Sequence, residues 1–372
     1  MAFWMQLGEI QSKCEHIAGV PLDTSTADVL HQLYLAKGVL ATTAIEGNTL
    51  TEREVQDRIR GQLQLPLSRE YLGREIDNIV AECNRIANDL WTGGSGQLEV
   101  SEIKAFNRAV LKDLPQAERL TPGDIRGYSV EVGAYRGAPA EDCEFLLEKL
   151  CLWINDERER AQALGANQIA YAVLRAILTH LYLVWIHPFE DGNGRTARLM
   201  EFRILVDAGV PSPAAHLLSN HYNQTRTLYY ERLARAGKSG GDVIPFLEYA
   251  VQGFLDGLKE QLEVIGNYQC NTIWRDYVYR KFRDARVRSS SDVRARQREL
   301  VLSLSEKAAP IPVSELHLLS PRITEQYARK TKKTVTRDLH RLVEMELVEL
   351  TNAGARARTE TILAFLPSRK QS

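Results

Sequence analysis

The stretch QIAYAVLRAILTHLYLVWI, residues 168–186, constrains the fold more than any other part of the chain. It is apolar almost all round, with Arg175 its one formally charged side chain. A helix of that kind has no face to offer water, so other helices must wrap it, and a mainly α bundle does so. The stretch stops at His187-Pro188, and Gly192-Asn193-Gly194 opens a second apolar helix, read as 194–208 and ended by Gly209. Arg195 and Arg198 then share one face of its first turns, where the partial positive charge of a helix N-terminus disfavours cations. An anion is required. Bare glycine amides at a helix N-terminus collect phosphate oxygens, and Asp191 suits a hard cation such as Mg²⁺ between them. His187, at a helix C-terminus, titrates near neutrality. These twelve residues read as a nucleoside di- or triphosphate site with a base, a metal ligand and a cradle. An Asn-Gly hairpin turn is the competing reading, and it fails because both flanks are helical.

Further helices are expected at 27–46, from Thr51 onward, and at about 68–91, 100–113, 140–160, 222–236 and 242–265. Gly47 stops the first of these, and Thr51 with Glu54 forms a capping box for the next. The segment IRGYSVEVGAYRG, 125–137, alternates and ends in glycine, which predicts a strand or hairpin. Of 372 residues, 44% are hydrophobic, enough for a sizeable core, and a net charge of −1 argues against polyanion or membrane attraction by the chain as a whole. Five cysteines (Cys14, Cys83, Cys143, Cys151, Cys270), odd in number and without C-x-x-C spacing, predict reduced thiols in a cytoplasmic setting. Neither a signal peptide nor a membrane-spanning run of about eighteen residues is expected.

The tract RSSSD at 288–292 reads as a linker, and a smaller unit follows from about 293. Its order of helix, turn, helix and two short β-like runs, at 347–350 and 361–365, resembles a winged helix-turn-helix with 334–345 as recognition helix. Between 322 and 341, Arg322, Arg329, Lys330, Lys332, Lys333, Arg337 and Arg341 outnumber Glu325 and Asp338. That excess suits phosphate contact, with Lys332, Lys333, Thr334, Arg337 and Arg341 as candidate DNA-binding residues. A protein-interaction wing with a solvated basic face is the alternative.

HPFEDGNGRTAR at 187–198 matches the Fic family signature H-x-F-x-[DE]-G-N-G-R-x-x-R at every defined position. The resemblance, over about 20–260, implies a Fic-type helical bundle with a small β-hairpin flap, and an AMP transferase that moves AMP from ATP onto a protein hydroxyl. It implies His187 as general base and Asp191 as the Mg²⁺ ligand. Gly192, Asn193 and Gly194 would hold phosphate oxygens, Arg195 the β-phosphate and Arg198 the γ-phosphate, with Phe189 anchoring the loop. Thr42-x-x-x-Glu46-Gly47 resembles the family's inhibitory motif, which implies that Glu46 pairs with Arg198 and blocks the γ-phosphate. In some relatives the same glutamate aligns a water that removes AMP.

The 125–137 segment resembles the family's flap, which pairs with an extended stretch of the target and places Gly133, Ala134 and Tyr135 near the nucleotide. Ala138-Pro139 stands where relatives commonly carry two prolines. Tyr229-Tyr230 resemble the paired tyrosines that flank adenine, although the asparagine often found after them has no counterpart. The domains expected are an N-terminal helical region (1–110), a catalytic core (111–265), a helical linker (266–292) and a winged helix-turn-helix (293–372). The partners expected are a target protein along the flap, DNA at the winged helix and a second copy of the chain.

Overall fold

Helix boundaries in the computed structural model follow local chemistry. It describes residues 2–363 except 95, 116–119, 133–134, 166–167, 239 and 286–289, in two compact units, 1–263 and 264–372. After α1 (Ala2–Gly19), the Asp23 carboxylate caps α2 (Thr24–Ile45) by accepting from the Thr26 N–H at 3.0 Å. Gly47, at φ +103°, ends α2 in the left-handed region where a side chain is strained. The capping box forms at α3 (Glu52–Ile59): the Glu54 N–H donates to Thr51 Oγ1 at 3.3 Å, and the Thr51 N–H to the Glu54 carboxylate at 2.8 Å.

Then come α4 (Glu70–Trp91), α5 (Val100–Val110) and a short antiparallel hairpin. Its strands β1 (Glu131–Val132) and β2 (Tyr135–Arg136) set Glu131 opposite Arg136. Next are α6 (Cys143–Leu164), α7 (Gln168–Ile186) and α8 (Asn193–Asp207). Helix α7 packs against α1, α6 and α8, and Val173, Ala176, Ile177, Leu181 and Leu183 are completely withdrawn from water. Each such Val, Leu or Ile contributes roughly 1.5–3 kcal/mol by burial. By length and composition α7 does qualify as a membrane span, against the expectation that no segment would. Its packing in the core accounts for that apolarity.

The single helix expected at 222–236 is two helices, preceded by α9 (Ser212–Ala215): α10 (Leu217–Gln224) and α11 (Arg226–Lys238). They break at Thr225, whose hydroxyl bonds the His221 carbonyl at 2.7 Å and meets Tyr249 Oη at 2.6 Å, in competition with the helical ladder. Helix α12 (Ile244–Asp284) runs well past the expected end at 265. Trp274, Val278 and Phe282, four residues apart on one stripe, enter the core of the second unit, so 266–284 packs into a core where a linker was expected.

The second unit continues with α13 (Ser291–Ser305), α14 (Pro321–Tyr327) and α15 (Lys332–Glu344), then the antiparallel pair β3 (Val348–Thr351) and β4 (Gly354–Ala357). The second strand is therefore 354–357, where 361–365 was expected; residues 361–363 lie in a 3₁₀ turn and 364–365 outside the described residues. Close approach decides this. A Cβ on Gly354 would sit 2.2 Å from the Ile311 carbonyl oxygen, and the small Ala355 and Ala357 are buried. In the core, Asp338 accepts from Arg296 Nε at 2.8 Å, Gln297 Nε2 at 2.9 Å and Tyr327 Oη at 3.0 Å. Removing one partner of such a buried ion pair costs about 3–5 kcal/mol, so this network pins α15 to α13 and α14.

Candidate nucleotide site

Where α7 ends, His187 takes φ +49°, a left-handed conformation that residues with side chains rarely adopt. Its half-buried imidazole is held below the ordinary value by burial, against the raising influence of the Val184 carbonyl and the Glu46 and Asp191 carboxylates. The loop after it is closed by its own residues. Phe189 is buried, its N–H donates to Asn193 Oδ1 at 3.0 Å, and Asn193 Nδ2 donates back to the Phe189 carbonyl at 2.8 Å. The side chain of Asn193, a residue expected among the phosphate ligands, thus staples the loop, because a buried amide must find partners and the nearest are main-chain. Gly192, at φ +78°, begins α8, and Asn107 Nδ2 fixes the loop from outside by donating to the Asp191 carbonyl at 2.8 Å.

Both arginines hold carboxylates. Arg198, buried, donates to Thr42 Oγ1 at 2.8 Å, to the Thr42 carbonyl at 3.0 Å and to Glu46 Oε1 at 2.6 Å. Burial raises the Glu46 carboxyl, yet the Arg198 guanidinium outweighs this and leaves it below the usual carboxylate range. A Cβ on Gly194 would lie 2.3 Å from Glu46 Oε1, so the bare glycine is what lets that oxygen rest against the start of α8. Arg195 pairs with Glu75 at very short range and with Asp191 Oδ1 at 3.2 Å. Glu75 is in turn bonded by Asn48 Nδ2 at 2.8 Å, directly after the Glu46-Gly47 turn. Burial pushes the Glu75 carboxyl up in spite of Arg195. Glu46, Tyr71, Glu75, Asp191 and Arg195 line a cleft of about 280 Å³.

The paired tyrosines separate. Tyr229 is buried, its hydroxyl 2.8 Å from His180 Nε2 and its ring stacked on Tyr222 at 4.7 Å. The expectation places it beside adenine; here its ring faces the core, because successive helical residues point about 100° apart and the two side chains leave the helix in different directions. Tyr230 is exposed, and its hydroxyl donates to the Ile45 carbonyl at 3.4 Å, while Arg226 donates to the Ala44 carbonyl at 3.2 Å. Helix α11 therefore touches the end of α2. Gly133 and Ala134 lie outside the described residues, as does the side chain of Tyr135 in β2.

For Mg²⁺, Asp191 is a single carboxylate, half exposed and oriented by the Gly192 N–H at 2.6 Å. Among the described residues no cluster of three metal-ligating side chains exists. This fits an ion that takes one protein carboxylate and draws its other ligands from substrate phosphates and water. In α15, Lys332, Lys333 and Arg337 are exposed, Thr334 is half-buried, and Arg341 pairs with Glu344 at 2.7 Å. Sequence reasoning missed Glu75, Asn107 and Arg126. Each is one polar residue in an ordinary amphipathic or turn segment, with no local signal to mark it.

Residues 97–205 match the Fic/DOC family. Over those residues the chain is similar to the Fic/DOC family. Protein adenylyltransferase fic-1 of Caenorhabditis elegans is 28% identical to it over 236 residues, 62% of this chain and 43% of that protein. Protein adenylyltransferase Fic of Nematostella vectensis is 28% identical over 211 residues, 57% of this chain and 45% of that one. The chain thus spans less than half the length of these curated relatives. Among solved structures, a Fic family protein from Desulfovibrio desulfuricans G20 shares the fold at TM-score 0.56 and 19% identity, covering 94% of this chain and 92% of its own. Fic-1 from C. elegans gives TM-score 0.56 at 23% identity, covering 72% and 74%. The Fic/DOC match begins at residue 97, so Glu46 and Glu75 reach the domain's arginines from outside it.

Proposed function

We propose that this chain transfers AMP from ATP to a Ser, Thr or Tyr hydroxyl of a target protein, and that Glu46 holds it inactive at rest. The names of the relatives support the reaction class. The observation that supports the inhibition is the Glu46 carboxylate, 2.6 Å from Arg198 and against Gly194, which a phosphate gripped by Arg198 would have to displace. In this reading His187 takes the proton of the attacking hydroxyl as its oxygen bonds the α-phosphorus, the bond from the α-phosphorus to the β-phosphate oxygen breaks, and pyrophosphate leaves. Arg195 and Arg198 bind the β- and γ-phosphates once their carboxylates leave, and the amides at the start of α8 orient the chain of phosphates. Asp191 would hold Mg²⁺, which supplies charge neutralisation between phosphates. The flap aligns the target by strand addition. The alternative reading of the same site is AMP removal, with Glu46 orienting a water. Incubation of the Glu46→Gly chain with ATP labelled at the α-phosphorus should leave label on protein, and ATP labelled at the γ-phosphorus should leave none; retained γ label would show kinase-like chemistry and overturn the proposal.

We propose a second role, DNA contact, for the 264–372 unit. The exposed Lys332, Lys333 and Arg337 on α15, in a helix-turn-helix-hairpin order, favour it. A gel shift with duplex DNA should weaken steeply with salt, at roughly 0.9 log unit per log unit of salt for each phosphate contacted. No shift at low salt rejects DNA as the partner.

A further inference from the structure

The turn leading into the flap carries a buried guanidinium whose partners, among the described residues, are carbonyl oxygens. Arg126 is 2% exposed. Its Nε donates to the His187 carbonyl at 2.7 Å, one terminal nitrogen to the Tyr128 carbonyl at 2.5 Å, and the other to Ile186 at 3.3 Å and, at short range, to Ala138. Its main-chain N–H donates to the Pro188 carbonyl at 2.9 Å. The carbonyls of Ile186, which ends α7, and of His187, which follows it, lack helical partners and lie at the negative end of the dipole, so a cation belongs there. Tyr128 and Ala138 stand on the two limbs of the hairpin. One planar group therefore ties both limbs to the residue whose backbone is turned left-handed.

Gly137 shows how close this assembly is. A Cβ there would lie 3.1 Å from the Arg126 guanidinium and 3.3 Å from His187 Cβ, and its N–H extends the hairpin ladder to the Val130 carbonyl at 3.1 Å. The limb that follows the flap thus runs directly against the imidazole-bearing residue. Nothing else described bonds to both the hairpin limbs and the His187 carbonyl.

We propose that Arg126 is a positioning residue for the transfer reaction: its fork holds the His187 main chain and the two limbs of the flap in one geometry, so that imidazole and target segment meet in register. The inference rests on the reading of His187 as general base and of the hairpin as the target's docking edge. Lysine cannot substitute, because its donors radiate from one point where the arginine fork spans four carbonyls in a plane. Misplacement of a reacting group by about 1 Å costs on the order of a hundredfold in rate.

The test compares Arg126→Lys and Arg126→Gln in the Glu46→Gly chain, with Gly137→Ala as a third variant that keeps the guanidinium and crowds it against His187. Each is first checked for a cooperative thermal transition; where Arg126→Gln does not fold, the other two carry the test. The expected result is a fall in kcat of about a hundredfold, with the KM for ATP and the Kd for ATP unchanged, because Arg195, Arg198 and α8 are untouched. The His187 imidazole proton resonance, assigned by its loss in His187→Ala, should move in each variant. Folded variants that retain the parental kcat and an unmoved resonance overturn the proposal, as does a loss confined to ATP affinity. If the Glu46→Gly parent transfers no AMP, the proposed function fails on its own. The His187 resonance then still decides whether Arg126 positions that residue.

Discussion

Replacing His187 by alanine in the Glu46→Gly chain is expected to lower AMP transfer by about 10²- to 10⁴-fold, the usual contribution of a positioned general base. The phosphate-binding elements should survive, because Asn193 and Phe189 close the loop without the imidazole. ATP should therefore still bind with the parental Kd, and a loss of binding equal to the loss of rate would remove the base assignment. The pH profile offers a second check. Burial lowers the His187 pKa below its ordinary 6.5, so the neutral, proton-accepting ring persists at pH 7. The rate should decline only on acidification through a value below 6.5, when the imidazole becomes charged.

Glu46→Gly is expected to raise transfer by about 10- to 100-fold. A charge-assisted hydrogen bond contributes roughly 1.5–3 kcal/mol, and an incoming phosphate must displace this one from Arg198. The substitution also leaves Arg198, which is only 3% exposed, without its carboxylate. Breaking a buried pair costs about 3–5 kcal/mol, and the value here belongs at the low end because the Glu46 side chain is 29% exposed. The variant should thus melt at lower temperature without nucleotide and regain stability as ATP is added, since a ligand that binds only the folded state stabilises it. Radiolabel transfer and melting curves measured across ATP concentrations check both halves. Equal labelling by the two chains, with equal melting curves, would show that the Glu46–Arg198 contact does not govern the site.

Much of this site is legible residue by residue because its signals are local. The Thr51–Glu54 box spans four positions, and the glycine that admits Glu46 belongs to the same dodecapeptide as Arg198. Other features lack such a signal. Thr225 divides a periodic helix through a hydroxyl contact with Tyr249, 24 residues away. Glu75 reaches Arg195 across 120 residues and Arg126 reaches His187 across 61, and neither segment announces a partner. Residues 266–284 resemble a linker only until Trp274, Val278 and Phe282 are seen against the core they fill.

By itself the sequence determined the central buried helix, the glycine-bearing loop that follows it, and the positions of the candidate base and arginines, because periodicity, capping and glycine geometry act within about one helical turn. Only the tertiary structure decided that Arg195 holds Glu75, that Tyr229 turns inward, and that one buried guanidinium ties the hairpin to His187. Those outcomes depend on which distant groups meet where water is excluded. There, an unpaired charge or carbonyl is too costly to leave, and any partner brought near by packing is taken.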